Sequence, residues 1–398
     1  MVFWDPRNFV CCTWFSHNSY SSRKPDGGAG NRGTHSFFPR QKTVQEFKTK
    51  SLRKMMDSAF PEKEDLQYCF EDINGSCYKI TRSPALRVVL YFVLGFLTIL
   101  TVGGNLMVII SITYFKQLHT PTNFLIASLA YADFSLGLSV LPFSAVRSIE
   151  TCWLFGETFC RFHSCLVALF CYASIFNLCF ISVDRFVAVN DPLIYPLRFT
   201  VPVSGLFIAV AWALSILYSF SVFYTGANDE GVEESENALP CSGKCQITFN
   251  KTWVFISSLL YFIPFLTMIV LYSKIFQVAK QQARMIESMS NKTQSSDNYS
   301  DRVGKRERKA AKTLGIAVVA FLVFWAPYCM CVITDTFLDY ATPPFVVDIV
   351  SWLAYSNSAI NPLIYSFFYA WFRKAMKVIV SCKIIMYDCS AMNLLSEW

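Results

Sequence analysis

Seven long apolar runs, at 87–115, 121–146, 157–189, 199–225, 253–279, 309–335 and 344–372, dominate this chain of 398 residues. Each is long enough for a helix to cross a hydrocarbon layer of roughly 30 Å, which takes about 20 residues. Hydrophobic residues make up 54% of the chain and charged ones only 16%, so a soluble fold of this size would leave much apolar surface in water. The runs therefore predict an all-α membrane protein, a seven-transmembrane helix bundle with membrane lipid as a partner. Nucleic acid is not a partner, because the formal net charge of +7 is accounted for by residues 1–54, with ten basic and three acidic residues.

Orientation follows from Lys and Arg, which are retained on the cytoplasmic side. The 273–312 segment carries ten of them, among them Lys274, Arg284, Arg306 and Lys312. The stretch between runs four and five has only Lys244 and Lys251, against Asp229, Glu230, Glu233, Glu234 and Glu236. An odd number of spans then puts the N-terminus outside and the C-terminus in the cytoplasm of a multi-pass plasma-membrane protein. Residues 1–54 show neither helical nor strand period and no signal-peptide core. They read as a disordered or spurious extension, with a second start at Met55-Met56. Residues 55–86 form an extracellular tail, 87–372 the bundle, and 373–398 a cytoplasmic amphipathic helix and tail. Cys382 follows the amphipathic stretch 372–380 and is either a palmitoylation site or an ordinary thiol.

Cysteines inside the spans, such as Cys165, Cys171, Cys179, Cys329 and Cys331, read as small apolar residues. Cys77, Cys160, Cys241 and Cys245 fall at the outer face, where oxidation is allowed. A Cys160–Cys245 bridge would tie the outer loop over the bundle mouth. Cys77–Cys241 is a second candidate, with Cys69 as the rival partner, and spacing does not decide between them. The sequon at Asn74 lies outside and predicts glycosylation; Asn250 is too near the bilayer, and Asn291 falls inside.

Polar groups within spans are costly and mark function by default. Asn105, Asp133, Asn357, Ser358 and Asn361 lie at depths where they could meet, as a cluster that holds sodium and water and rearranges, or as a purely structural network. Pro264, Pro327 and Pro362 predict kinks in runs five, six and seven. Asp184-Arg185 closes run three at the cytoplasmic end, and Glu307 at the foot of run six has the charge and depth to pair with Arg185. Parting that pair would open a cytoplasmic cleft; the alternative is a snorkelling Arg. No nucleophile, metal or nucleotide motif is present, so the chain reads as a transmitter of motion and not as an enzyme. A transporter or channel is the rival class, but no internal repeat supports it.

Asn105, "LAYAD" ending at Asp133, Cys160, "DRF" at 184–186, Trp212, Pro264 with Tyr272, "FWAP" at 324–327 and "NPLIY" at 361–365 together resemble the rhodopsin-like G-protein-coupled receptors over 87–383. "NSAINPLIYSFFYAWF", "FKQLHTPTNFLIASLA", "CWLFGETFC", "YTGAND", "CSGKCQ", "KRERKAAKTLGIA" and "NGSC" are similar to the trace amine-associated receptors, nearest the mammalian branch numbered seven to nine. That resemblance implies an olfactory or chemosensory receptor for volatile amines, coupled through a stimulatory heterotrimeric G protein to cyclic AMP, with no cofactor beyond the sodium ion. It also favours the Cys77–Cys241 bridge. It places the ligand among Val167, Ala168, Phe170, Cys171, Ile256, Ser257, Trp325, Tyr328, Cys329, Ala354 and Tyr355. The switch set becomes Asp184, Arg185, Glu307, Tyr272, Asn361, Pro362 and Tyr365.

One departure matters. In aminergic members an Asp seven residues after the span-three cysteine pairs with the ligand ammonium, and here that position is Val167. Neither Ile256 nor Ser257 supplies a replacement acid; Asp335 and Asp348 near the mouth could attract cations only by long-range field. A receptor for neutral odorants, or one that has lost its ligand, is therefore the alternative reading.

Overall fold

A computed structural model of the chain describes residues 67–228, 230, 241–245, 248–290, 298–338, 342–381, 390 and 394. The side chains of 279, 282–290 and 298–314 lie outside that description, as do the expected 1–54 extension, Cys382 and Asn291. The helices are α1 (Pro84–Tyr114), α2 (Pro121–Ser139), α3 (Leu141–Glu150), α4 (Glu157–Asn190), α5 (Tyr195–Arg198), α6 (Val201–Ser219), α7 (Lys251–Ser290), α8 (Asn298–Phe337), α9 (Pro344–Phe368) and α10 (Ala370–Val380). They form a seven-span bundle: α2 and α3 are the two halves of span two, and α6 extends span four through a π turn at Phe220–Tyr224.

Helix starts follow local chemistry. Pro84 and Pro121 sit in the first turns of α1 and α2, where a missing N–H costs nothing. Ser83 Oγ accepts from the Leu86 amide and Thr120 Oγ1 from the Asn123 amide, so each satisfies an otherwise orphaned donor. Span two is not one rod. It bends by 41° at Val140, because Pro142 in the first turn of α3 cannot continue the hydrogen-bond ladder of α2.

Span three is the axis of the bundle: 67% of its most apolar window is buried within the protein, against 11% for span one. Among the described residues, five helices pass for a membrane span on length and apolarity alone, and the bent pair makes a sixth. Span seven is less apolar because it carries Asp348, Ser351, Asn357, Ser358 and Asn361, all but the first of them buried. Where spans one and seven meet, a Cβ on Gly104 would come within 2.9 Å of Pro362 Cβ, so only glycine allows this approach.

The far end of span seven differs from expectation. The helix stops at Phe368, the chain is extended at Tyr369, and α10 begins at Ala370, so the bundle ends before residue 372. Arg373 explains the early turn, since its guanidinium donates to the carbonyls of Ser366 and Phe367 and satisfies the end of α9. Trp371, Phe372, Ala375 and Val378 form the buried stripe of α10.

Candidate functional site

At one end of the bundle, three disulfides gather the connecting segments: Cys69–Cys152, Cys77–Cys241 and Cys160–Cys245. Cys69 is therefore not the rival for Cys241; its partner is Cys152, in the loop between α3 and α4. Residues 67–79 fold back on themselves, with Cys69 N–H donating to Cys77 O at 2.9 Å and Lys79 N–H to Gln67 O at 2.8 Å. This turn lies beside 241–245 through Cys77 N–H to Ser242 O and Ser242 N–H to Gly75 O. Gly243 has φ +102, and a Cβ there would meet Cys69 Cβ at 2.7 Å, so glycine lets the loop close on the first disulfide. Asn74 is exposed on this cap. Asn250 is used up as a helix start: its side chain donates to Ala227 and Glu230 carbonyls and accepts from the Trp253 amide.

Below the cap, spans three, five, six and seven enclose a cavity of about 90 Å³. Val167, Ala168, Cys171, Tyr172 and Ile175 supply the α4 wall, and Ser257, Ser258, Tyr261 and Phe262 the α7 wall. Trp325, Tyr328 and Cys329 face them from α8, and Ala354 and Tyr355 from α9. Tyr261, Phe321 and Tyr328 surround Trp325 with ring centroids at 6.5, 6.0 and 6.0 Å, forming an aromatic floor. Among the described residues, no Asp, Glu, His, Lys or Arg lines this cavity. Ser257 already shares a hydrogen bond with Tyr218 Oη.

Phe170 and Ile256, expected in the lining, are not part of it. Helical periodicity is the reason: 167, 168, 171 and 175 share a face, as do 254, 257, 258 and 261, and neither 170 nor 256 falls on its stripe. Phe170 turns instead toward Trp212, edge-on at 6.4 Å.

A second chamber of about 230 Å³ lies between this cavity and the cap. The two share Phe249, Tyr328, Val332, Ser351 and Tyr355 as walls. The outer one is charged, with Arg82, Arg147 and Lys244 set against Asp335 and Asp348. Both acids are engaged. Asp348 Oδ1 accepts from Ser148 Oγ at 3.0 Å and lies 3.5 Å from the Arg147 guanidinium, while Asp335 Oδ1 accepts from the Thr342 amide at 2.9 Å. Arg147 also donates to Cys245 O at 2.9 Å. Lys244 keeps its tip partly in water, yet its neighbours displace enough solvent to draw its pKa below the ordinary lysine value, against the pull of Asp335.

Deeper in the bundle the polar residues do meet. Asp133 Oδ2 accepts from Asn361 Nδ2 at 2.8 Å, and Oδ1 accepts from Ser358 Oγ at 2.8 Å and Ser174 Oγ at 3.2 Å. Asn105 Nδ2 donates to the carbonyls of Thr101 and Ser358. The Oδ1 atoms of Asn105, Asn357 and Asn361 accept nothing from the described residues, so acceptors outnumber donors here. Ser174 was not foreseen. The hydroxyls of Tyr272 and Tyr365, nearer the far end, are likewise buried with no partner among the described residues.

At the far end, Asp184 Oδ2 accepts from Thr122 Oγ1 at 2.7 Å and Arg185 Nε at 2.8 Å, and Oδ1 accepts from Tyr195 Oη at 2.7 Å. Arg185 donates in addition to Thr122 Oγ1 and to Tyr195 Oη. The expected partner Glu307 has its side chain outside the described residues. Thr122 and Tyr195, absent from the expected switch set, thus join spans two and three and the α5 turn at one ion pair.

Comparison with known proteins fits this geometry. The profile of the seven-transmembrane receptors of the rhodopsin family matches residues 104–365, from the glycine beside Pro362 to Tyr365. Trace amine-associated receptor 7a of Rattus norvegicus is 56% identical over 357 residues, covering 89% of this chain and 99% of that protein. Trace amine-associated receptor 9 of Homo sapiens is 56% identical over 343 residues, covering 86% of this chain and 99% of its own length. Receptor 7d of Mus musculus is 58% identical over 332 residues, 83% of this chain and 93% of that protein. The disulfide-tied cap, the aromatic-floored cavity and the buried acid thus belong to one architecture, and the chain is a member of the trace amine-associated receptors of the rhodopsin family.

Proposed function

We propose that this receptor is chemosensory, that a small, largely apolar volatile, neutral or weakly basic, occupies the inner cavity, and that the response passes through a stimulatory G protein to cyclic AMP. As a family member the chain is a multi-pass plasma-membrane receptor with a small-molecule ligand and a G protein as partners, and not an enzyme. Val167 at the cavity wall carries the reading of the ligand, because among the described residues no charged group lines that space. Burying an ammonium without a counter-ion costs several kcal/mol. Cation–π contact with the aromatic floor returns about 0.5–2 kcal/mol, which is too little to compensate.

Orientation in this reading puts the disulfide-bearing end and the N-terminus outside, where disulfides persist, with Asn74 as glycosylation acceptor and the C-terminus in the cytoplasm. Asp184 and Arg185 then lie buried at the end that meets the G protein, and the prolines of spans five to seven let the helices move. Asp133, Ser174, Ser358 and the Asn361 side-chain oxygen, which has no donor among the described residues, make an all-oxygen set suited to a hard monovalent cation, so sodium would be held there.

The test is cyclic AMP in cells with confirmed surface receptor, exposed to volatile amines and to neutral volatiles, beside Val167→Asp. Native responses to neutral volatiles are expected, together with amine responses that appear in Val167→Asp. Amine responses as strong in the native receptor would overturn the reading. Silence of both at normal surface level would favour a receptor that has lost its ligand.

A further inference from the structure

We propose that Tyr261 is the polar handle of the inner cavity, and that the ligand is a volatile nitrogen heteroaromatic held as its unprotonated base, with a ring nitrogen accepting from the Tyr261 hydroxyl. This rests on the reading that the inner cavity takes a neutral or weakly basic molecule. It adds the class of that molecule and the residue that selects it.

An unused donor is the first argument. Tyr261 is 5% exposed and stands in the cavity wall. Among the described residues, its hydroxyl is the one lining side-chain group that is buried without a hydrogen-bond partner. The other hydroxyls on the same wall are already engaged: Ser257 shares a bond of 2.5 Å with Tyr218 Oη, and Ser258 Oγ donates to Val254 O at 2.6 Å. The Cys329 thiol lies beside Tyr261, but sulfur accepts only weakly and the two make no hydrogen bond of ordinary geometry. A buried hydroxyl without an acceptor costs stability that phenylalanine at 261 would avoid. An acceptor carried by the ligand explains the tyrosine.

The surrounding rings are the second. The ring centroids of Phe262, Phe265 and Trp325 lie 5.3, 5.7 and 6.5 Å from that of Tyr261. Such rings gain from offset or edge-on contact with a further ring beyond the area they bury. The lone pair of a ring nitrogen lies in the plane of its ring, so the molecule can rest against these rings and still accept from the hydroxyl beside them. The inner space is about 90 Å³, whereas a dry cavity of about 150 Å³ takes benzene. One ring, entering with slight widening at the walls shared with the outer chamber, is the most it holds.

Protonation is the third. A diazine such as pyrazine carries no proton at neutral pH, yet its nitrogens remain good acceptors. It needs no counter-ion where Val167 stands and keeps a lone pair for Tyr261. An aliphatic amine must first shed its proton, because an ammonium buried without a partner is costly.

Binding of 2-methylpyrazine, toluene and benzylamine to the purified full-length receptor and to Tyr261→Phe tests this. Tyr261→Phe should weaken 2-methylpyrazine about tenfold, the range of one hydrogen bond from a buried donor. Toluene should bind unchanged, which also reports an intact fold. In the native receptor, the nitrogen-15 resonance of labelled 2-methylpyrazine should move upfield by the modest amount seen in alcohols, far short of the displacement in a protonated ring. Equal effects of Tyr261→Phe on both ligands, or a resonance unchanged from that in a hydrocarbon solvent, would overturn Tyr261 as the handle and leave the inner-cavity reading standing. Benzylamine binding tightest of the three, or the resonance of a protonated ring, would overturn both.

Discussion

Asp133 and Asp184 are both buried, at 1% and 0% exposure, yet the protein treats the two carboxylates in opposite ways. Asp184 is closed off by a guanidinium, a threonine and a tyrosine, so its charge is balanced on the spot. Among the described residues Asp133 accepts only from neutral donors, two serines and an asparagine, and the amide oxygen of that asparagine, Asn361, has no donor there. The first is built to hold three segments together. The second is built with a missing positive charge, which a mobile cation or a proton can supply. Burial alone does not say what an acid is for; its partners do.

The largest effect is expected from Asp184→Ala, which removes the buried carboxylate that Arg185, Thr122 and Tyr195 all share. A stability loss of about 3–5 kcal/mol should follow, read as a lower unfolding temperature of the detergent-solubilised receptor. A loss below about 1 kcal/mol would mean that the guanidinium escapes to water, and the contrast with Asp133 would collapse. Next comes Asp133→Asn. Raising sodium in place of a bulky organic cation should stabilise the native receptor and leave Asp133→Asn unmoved, while an equal gain in both would remove Asp133 as the cation site. Tyr195→Phe and Ser174→Ala should each cost about 1 kcal/mol, the usual value of one hydrogen bond. Only Ser174→Ala should also blunt the sodium response. If Tyr195→Phe blunts it equally, the two acids are coupled and not separate devices.

Long apolar runs made most of the spans legible, although span seven, with its buried Ser351, Asn357, Ser358 and Asn361, would not pass on length and apolarity alone, and Val167 was legible because the cysteine before it sets the register. Ser174 was not. Serines at 111, 182, 215 and 219 each donate to the carbonyl four residues back, the ordinary fate of a hydroxyl in an apolar helix. Nothing in the sequence marks Ser174 as the one that reaches across to Asp133. The Cys69–Cys152 bridge was equally hidden, because pairing depends on how the tail folds back over the mouth and not on spacing. Phe170 and Ile256 were misplaced for a different reason. Each is next in sequence to a lining residue, but a helix turns by about 100° between neighbours and takes it off the lining face.

The three bridges give the mouth a fixed side and a free one. They stitch the tail leading into span one, the loop after span two, the start of span three and the loop before span five into one covalent rim. Among the described residues, no such stitch reaches spans six or seven at that end. Widening that admits a ligand is therefore expected chiefly from these two, whose helices carry Trp325 and Tyr355 and the prolines at 327 and 362. Admission and activation then share one mechanical coordinate: the panel that swings to let a molecule in is the lever that registers its arrival.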